Sequence, residues 1–304
     1  MNKNIIVVNN LTKKYKITDK FALNGIDLKI RQGSIFGLLG PNGAGKSTFI
    51  NILAGLVNKT SGEVKVFDLE LDKDPKTIRG NLGVVPQEIN IDPFFTPMQV
   101  MNNQAGMYGI KKKNNRSLEI LKNLDLDDKA NAYSRSLSGG MKRRLMVAKA
   151  MVHSPPIIIL DEPTAGVDVE LRNKLWEYIR KLNKAGTTII LTTHYLKEAE
   201  ILCDELAVIN KGKVIACDKK KNILSLLDEK YLILEFENTN FKVPERLRKY
   251  CIKKTKNSVE LKFNKSENSV TNLVKIFEET KFKIKDISTK DSDLEEIFIN
   301  LLKK

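Results

Sequence analysis

The 304-residue chain contains only three cysteines, Cys203, Cys217 and Cys251, and two histidines. An odd number of cysteines, at spacings that fit no metal-binding knuckle, argues against a disulfide framework and against a zinc site. Apolar runs are short: residues 157–160 have the length of a strand, whereas a membrane-spanning helix needs about 20 apolar residues. The N-terminus carries no basic segment followed by an apolar one, so no secretory signal is expected.

Basic residues are abundant, at 52 Lys and Arg against 37 Asp and Glu, which gives a net charge of +15. Such an excess suggests an anionic partner, which could be a nucleic acid, a nucleotide or a membrane surface. Only 10 of the 52 are arginine, however, and no nucleic-acid-binding module is recognisable. We therefore interpret the excess as a lysine-rich solvated surface and expect no nucleic-acid partner.

Two regions of the chain differ in pattern. Up to about residue 225, apolar strands alternate with helices, which predicts an α/β domain with a mostly helical part at about 92–150. Beyond it, alternating segments at 231–237 and 259–263 with two helical stretches predict a small α+β accessory domain. We expect these domains to cover residues 1–225 and 226–304. The elements predicted in the first domain include strands at 5–8, 26–30, 35–39, 157–160, 188–192, 206–210 and 213–217, and helices at 46–56 and 171–183.

A glycine-rich loop lies between the predicted strand 35–39 and the helix that follows. It matches the phosphate-binding pattern G-x-x-x-x-G-K-[ST] at every position: Gly40, Pro41, Asn42, Gly43, Ala44, Gly45, Lys46 and Ser47. Glycines let several backbone N–H groups point at one phosphate chain, and the helix N-terminus adds partial positive charge. The pattern predicts that Lys46 contacts the β- and γ-phosphates and that Ser47 offers its hydroxyl to Mg²⁺.

Two carboxylates end the apolar strand at 157–160. Asp161, at the end of a buried strand, is a candidate Mg²⁺ ligand, and Glu162 is the candidate general base for water. Taken alone, the same residues could be a strand followed by a helix N-cap. The phosphate loop upstream favours the catalytic interpretation.

A second helix start carries anion-binding chemistry. Ser138, Gly139 and Gly140 precede a basic helical stretch, and a serine with two glycines at this place can bind an anion. A plain N-cap is the simpler interpretation of this segment by itself. Two such helix starts around a carboxylate strand are far less common.

Together, these motifs resemble the ATP-binding subunit of ABC transporters, over about residues 5–222. The resemblance implies an α/β, P-loop NTPase cassette with a mixed-sheet core and a helical subdomain, followed by the small C-terminal α+β domain. It implies a Mg²⁺-dependent ATPase, with ATP and Mg²⁺ as cofactors. It also implies a head-to-tail pair, either a homodimer or a paired cassette. Each ATP would lie between one chain's phosphate loop and the other chain's Ser138, Gly139 and Gly140.

The resemblance assigns roles to further residues. Tyr15 would stack on adenine, Gln87 would contact Mg²⁺ and sense the membrane subunit, and Thr48 would extend the ATP-binding loop. Asp168 would reach across the dimer, and His194 would bind the γ-phosphate and position water. The implied catalytic set is therefore Glu162, His194 and Lys46, and the implied metal set is Ser47, Gln87 and Asp161.

Two departures from the commonest family pattern look like the export-type subfamily related to drug-resistance and ABC-2 systems. The signature ends in Met141, and the Asp loop reads Ala165, Gly166, Val167, Asp168. Residues 288–298 also resemble the closing segment of ABC-2 exporter subunits. We expect an ATP-hydrolysing subunit that energises export of an unidentified substrate through a transmembrane permease on a separate chain. It would be held peripherally at the cytoplasmic face of the inner membrane.

The alternative is a non-transport ABC-type ATPase that is ribosome- or DNA-associated. Ser138 lies only 98 positions after Gly40, too short a span for a long coiled-coil insertion, and the chain carries a single cassette. Within the transporter interpretation, residues 88–110 are a hypothetical docking face for the permease, because Met and aromatic side chains adapt to a partner. Packing inside the helical part is the competing interpretation of the same side chains.

Overall fold

The computed structural model describes residues 3–16, 20–237, 241–280 and 282–303. The chain divides into two compact units, Met1–Lys220 and Lys221–Lys304. This division lies five residues before the boundary expected from the sequence.

The first unit contains two sheets. The strands are β1 (Asn4–Lys14), β2 (Phe21–Arg31), β3 (Ile35–Leu39), β4 (Ser61–Val66), β5 (Leu69–Glu70), β6 (Leu82–Val85), β7 (Ile157–Asp161), β8 (Thr188–Thr193), β9 (Glu205–Asn210) and β10 (Lys213–Lys219). The helices are α1 (Lys46–Leu53), α2 (Pro75–Gly80), α3 (Pro97–Met107), α4 (Ser117–Asn123), α5 (Gly139–Met151), α6 (Val169–Lys184) and α7 (Leu196–Leu202), and α8 (Lys220–Leu224) spans the boundary of the units.

The larger sheet has the order β10-β9-β3-β8-β7-β6 and is parallel except for β10. All residues of β3, β7 and β8 are buried, as expected for strands covered on both faces. Carboxyl ends of parallel strands meet at one edge, where open α/β sheets bind ligands. The phosphate loop and the carboxylate pair therefore share that edge, since they follow β3 and β7.

The smaller sheet, with the order β2-β1-β4-β5, is antiparallel. It shares one apolar core with the parallel sheet and with α1, whose Phe49 and Leu53 are fully buried. The expected strand end at Asn9 is wrong. Asn10 adopts φ 47° at a register shift, and the strand continues to Lys14 because β2 and β4 pair with it on both sides.

Helix α1 is shorter than the predicted helix 46–56. Gly55 has φ +68°, a left-handed conformation that commonly ends helices, and Leu56 is 73% exposed. The part of the chain at 92–150 is mainly helical, as expected, with α3, α4 and α5 in contact with one another. Among the described residues, no helix combines the length and the apolar character needed to cross a membrane.

The second unit is an antiparallel sheet with helices. It contains β11 (Glu229–Phe236), β12 (Cys251–Lys254), β13 (Ser258–Asn264), β14 (Ile284–Asp291), α9 (Val270–Glu278) and α10 (Leu294–Lys303). The strand order is β12-β13-β11-β14. Alternate residues of β11 and β13 pack with Leu273 and Phe277 of α9 into an apolar core. This is the small α+β arrangement expected from the sequence.

Candidate nucleotide site

The loop between β3 and α1 has the backbone that a phosphate cradle needs. Gly45 is the N-cap of α1 at φ 113°, and a Cβ there would lie 2.5 Å from the carbonyl oxygen of Ala22. A Cβ at Gly40 would collide with the backbone of Ile209. Since the N-cap residue is a glycine, it has no side-chain oxygen to accept from the backbone N–H groups of the first turn. This helix start therefore offers donors to an anion.

Lys46 places a buried cation in this loop. Its Nζ donates to the carbonyl oxygens of Gly40, at 2.7 Å, and of Pro41, at 3.1 Å. The residue is only 6% exposed. Burial lowers the pKa of Lys46, while the nearby carboxylates of Glu162 and Asp161 oppose that shift. A phosphate chain would supply the anion that a desolvated ammonium favours.

The carboxylate pair is held by β8. Thr192 donates its hydroxyl to Oδ1 of Asp161, and the backbone N–H of Glu162 points back to the carbonyl and hydroxyl oxygens of Thr192, both at 3.1 Å. Glu162 adopts φ 49°, a left-handed conformation that costs a residue with a Cβ about 1–2 kcal/mol. Strain of this kind concentrates at functional sites.

Three residues from three strand ends meet at one oxygen. Nε2 of Gln87, which follows β6, donates to Oε2 of Glu162 at 3.0 Å. Nδ1 of His194, which follows β8, lies 3.1 Å from the same oxygen. The Glu162 side chain is 9% exposed, whereas that of His194 is 62% exposed. The carboxylate is thus shielded on the protein side and faces an accessible imidazole.

Tyr15 lies beside the start of α1. Its hydroxyl is 3.4 Å from Oγ1 of Thr48, and its ring is partly exposed, with Nζ of Lys13 4.8 Å from the ring centroid. An accessible aromatic face next to a phosphate loop can stack on a base.

The signature and Asp-loop residues start two helices. Ser138 is the N-cap of α5 and its Oγ accepts from the N–H of Met141 at 3.2 Å. Asp168 caps α6 in the same way, through the N–H of Leu171 at 2.9 Å. Gly140 lies close to Leu171: a Cβ at position 140 would be 2.5 Å from Cδ1 of that leucine, so a larger residue there would displace the leucine side chain. Within this chain both polar side chains thus act as helix caps.

The oxygen donors at the site suit Mg²⁺. Ser47 lies in the first turn of α1 and Asp161 at the end of β7. Mg²⁺ is commonly held through one or two carboxylates together with substrate phosphates, rather than by a full protein cage. In the described ranges, no group of three or more His, Cys, Asp or Glu could hold a metal. The sparse donor set therefore fits a metal that arrives with the nucleotide.

Sequence reasoning missed Arg143 and Thr192. Arg143 is 2% exposed and donates to backbone carbonyls around Glu162 and Gln87. The sequence did indicate that Arg143 is buried, because at helical spacing it lies on the same face as Val147 and Ala150, both of which are buried. His153 packs outside this site: its ring stacks on Tyr108 with centroids 3.7 Å apart.

The amino-acid sequence matches known proteins along most of its length. Residues 23–165 match the ABC transporter family model. The linearmycin resistance ATP-binding protein LnrL of Bacillus subtilis is 34% identical over 301 residues, which cover 96% of both chains. The Nod factor export ATP-binding protein I of Burkholderia orbicola is 41% identical over 209 residues, which cover 68% of each chain.

Solved structures give the same result for the fold. An ATP-binding subunit of an ABC transporter superposes with a TM-score of 0.67 at 27% identity, covering 73% of this chain and 92% of that one. A dimeric ATP-binding cassette in a post-hydrolysis state, bound to ADP and Pi, gives a TM-score of 0.64 at 31% identity. It covers 70% of this chain and 98% of that one.

These relatives confirm the family, the fold class and the ATPase activity expected from the motifs, and their names agree with the export-type, drug-resistance-like grouping. They give no support to a ribosome- or DNA-associated function. The phosphate loop, the carboxylate pair and the similarity along 96% of a resistance protein lead to one conclusion: the chain belongs to the ABC transporter family, as an ATP-binding subunit that hydrolyses ATP.

Proposed function

We propose that this subunit binds Mg–ATP in the loop of Gly40–Ser47 and hydrolyses it with Glu162 as the general base, to drive export through a separate membrane permease. The observation that carries the proposal is the meeting of Gln87 and His194 at Oε2 of Glu162, at 3.0 and 3.1 Å. A water held among these three groups has an acceptor for its proton and two partners that orient it.

The chemistry divides between two strand ends. Lys46 and the N–H groups of α1 hold the β- and γ-phosphates, and Ser47, Asp161 and Gln87 are the residues that would hold Mg²⁺. Bound there, Mg²⁺ would neutralise charge on the transferring phosphoryl group. The water oxygen bonds to the γ-phosphorus, the bond to the β,γ-bridging oxygen breaks, and the proton of the water passes to Glu162.

We further propose that two cassettes pair head to tail, so that Ser138, Gly139 and Gly140 of one chain complete the phosphate site of the other. In support, these residues begin α5, and a helix start favours anions. The similar cassette bound to ADP and Pi is itself dimeric. In such a pair Asp168 would add a contact across the interface, and Tyr15 would stack on adenine.

The permease would contact the segment after Gln87. Phe94 is 68%, Phe95 42% and Met107 82% exposed, which supports docking at these side chains. Met101, by contrast, is fully buried, so this residue packs the helical part. Through the permease the subunit would lie at the cytoplasmic face of the inner membrane, with residues 226–304 as an accessory domain outside the catalytic machinery.

The test is Glu162→Gln, which keeps the shape and the hydrogen-bonding partners but removes the base. We expect ATP binding to remain and hydrolysis to fall by ~10²–10⁴, the usual contribution of a positioned base. With ATP no longer consumed, a paired species should accumulate on size-exclusion chromatography with Mg–ATP. Glu177→Gln, an exposed position on α6, is the matched control. Undiminished hydrolysis in Glu162→Gln would assign the base to another group.

A further inference from the structure

One guanidinium lies between the two loops that carry Glu162 and Gln87. Arg143 is 2% exposed and uses all five of its N–H donors on backbone carbonyls. Nε donates to Pro163 at 3.0 Å, Nη1 to Pro86 and Gln87 at 2.8 Å each, and Nη2 to Asp161 at 2.7 Å and Glu162 at 2.5 Å.

The left-handed turn at Glu162 explains why three successive carbonyls can reach one side chain. In an extended strand, neighbouring carbonyls point in opposite directions. At φ 49°, Glu162 bends the chain away from the strand direction, and the carbonyls of residues 161, 162 and 163 all accept from Arg143. Charge-assisted hydrogen bonds of this kind can offset the backbone strain.

The same guanidinium fixes the loop after β6. Its Nη1 holds the carbonyls of Pro86 and Gln87, so the backbone that carries the Gln87 amide is tied to the backbone that carries Glu162. Arg143 itself lies in α5, four residues after Gly139 and five after the N-cap Ser138. One side chain therefore joins the signature helix to both loops.

Burial of this cation is compensated by the five carbonyl acceptors and by two nearby carboxylates. Desolvation lowers the pKa of Arg143, and the carboxylates of Asp161 and Glu162 oppose the shift. A lysine would bring a point charge with three donors on one nitrogen, which cannot span five carbonyls in two loops.

We infer that Arg143 is a positioning residue for ATP hydrolysis. From the signature helix it holds five backbone carbonyls, and these fix the positions of the Glu162 carboxylate and the Gln87 amide. The inference rests on the proposed roles of Glu162 and Gln87.

Arg144 provides a matched control at the next position of α5. It is also buried, at 8% exposure, and also donates to backbone carbonyls. Its acceptors, however, are Leu124 and Asp125, which lie in the helical part of the unit. Replacing either arginine removes a buried guanidinium from the same helix, and only Arg143 contacts the two loops.

The experiment compares Arg143→Lys with Arg144→Lys in the full chain, by kcat, KM for ATP and melting temperature. We expect Arg143→Lys to lower kcat ~10–100-fold, as loss of residues that orient functional groups commonly does. KM for ATP should change by less than about threefold, because Lys46 and its loop stay in place. Arg144→Lys should leave kcat within about threefold of wild type at a similar fall in melting temperature. Equal losses of kcat in the two variants would overturn the inference.

A second measurement separates positioning from general damage. In the Glu162→Gln background, Arg143→Lys should lower the residual hydrolysis by a clearly smaller factor than in wild type, since the part of its effect that acts through Glu162 is absent and only the part through Gln87 remains. Effects that multiply would overturn the inference. If Arg143→Lys does not fold, Arg143→Gln, which keeps an amide NH₂ that can donate to carbonyl oxygens, is measured in both backgrounds with the same expected outcomes. Wild-type turnover in the single variant Glu162→Gln would instead contradict the proposed role of Glu162. Loss of turnover in Glu162→Gln together with wild-type turnover in Arg143→Lys would overturn only this inference.

Discussion

The two units of the chain bury different kinds of side chain. Among the described residues, the buried polar and charged side chains all lie in Met1–Lys220 except Ser292. They include Lys46, Arg143 and Glu162. The core of the second unit is built from Leu, Val and Phe, with Phe241 and Phe277 almost fully buried.

The difference shows where the chain bears an unfavourable free energy, that of burying charged groups, which folding alone does not require. Burying a charge is unfavourable unless it is paired or hydrogen-bonded, so buried charges tend to mark functional sites. The first unit holds such groups at the ends of β3 and β7, and the second unit offers an ordinary apolar core. If the comparison is right, core changes in the first unit alter ATP hydrolysis as well as stability, whereas equal changes in the second unit alter stability alone.

The largest effect is expected for Lys46→Ala. The change removes the buried ammonium that faces the phosphate site, so nucleotide affinity and turnover should both collapse. Lys29→Ala, at an exposed position on β2, is the control and should behave as wild type. Calorimetry measures the affinity for ATP, and phosphate release measures the turnover, in both variants. Unchanged ATPase activity in pure Lys46→Ala would contradict the phosphate-loop assignment.

A pair of core substitutions compares the units directly. Phe49 in α1 and Phe277 in α9 are both fully buried, and Phe→Ala in a core typically lowers the free energy of unfolding by about 3–5 kcal/mol. Phe49→Ala should also lower ATPase activity, because α1 carries Lys46 and Ser47. Phe277→Ala should leave kcat within about twofold at a temperature where the cassette is folded. Denaturation monitored by circular dichroism gives the free energies of unfolding. A Phe277→Ala variant that is folded but inactive would place the second unit in the catalytic machinery.

The smallest effect concerns pH. Burial lowers the pKa of His153, whose Nε2 lies 3.2 Å from the carbonyl oxygen of Leu82. The folded state therefore binds this proton less well than the unfolded state. The associated stability is complete above the ordinary histidine pKa of about 6.5 and is lost as pH falls below it.

The measurement is the free energy of unfolding at pH 7.5 and pH 5.5, for wild type and His153→Asn. Between pH 7.5 and pH 5.5, the free energy of unfolding should fall more for wild type than for the variant. The second unit contains no histidine, so its unfolding should lack this contribution. An identical pH dependence in the two proteins would remove His153 as its cause.

The site motifs were predictable because each one is local. A phosphate loop needs glycines and a lysine within eight residues, and the expected strands 35–39 and 188–192 agree closely with β3 and β8. Errors arose where a partner decides the outcome. The first strand was expected at 5–8, but pairing with β2 and β4 carries β1 past Asn9 and Asn10.

The sequence by itself determined the family, the phosphate loop, the carboxylate pair and the existence of a second, small α+β domain, since all of these depend on neighbouring residues and on periodicity. Tertiary structure alone decided which side chains meet. Residues 87, 162 and 194 converge because parallel strands deliver their carboxyl ends to one edge of a sheet. Arg143 donates to three successive carbonyls where Glu162 turns the backbone left-handed and to two more in the loop after β6, and no local pattern in the sequence encodes where those carbonyls point.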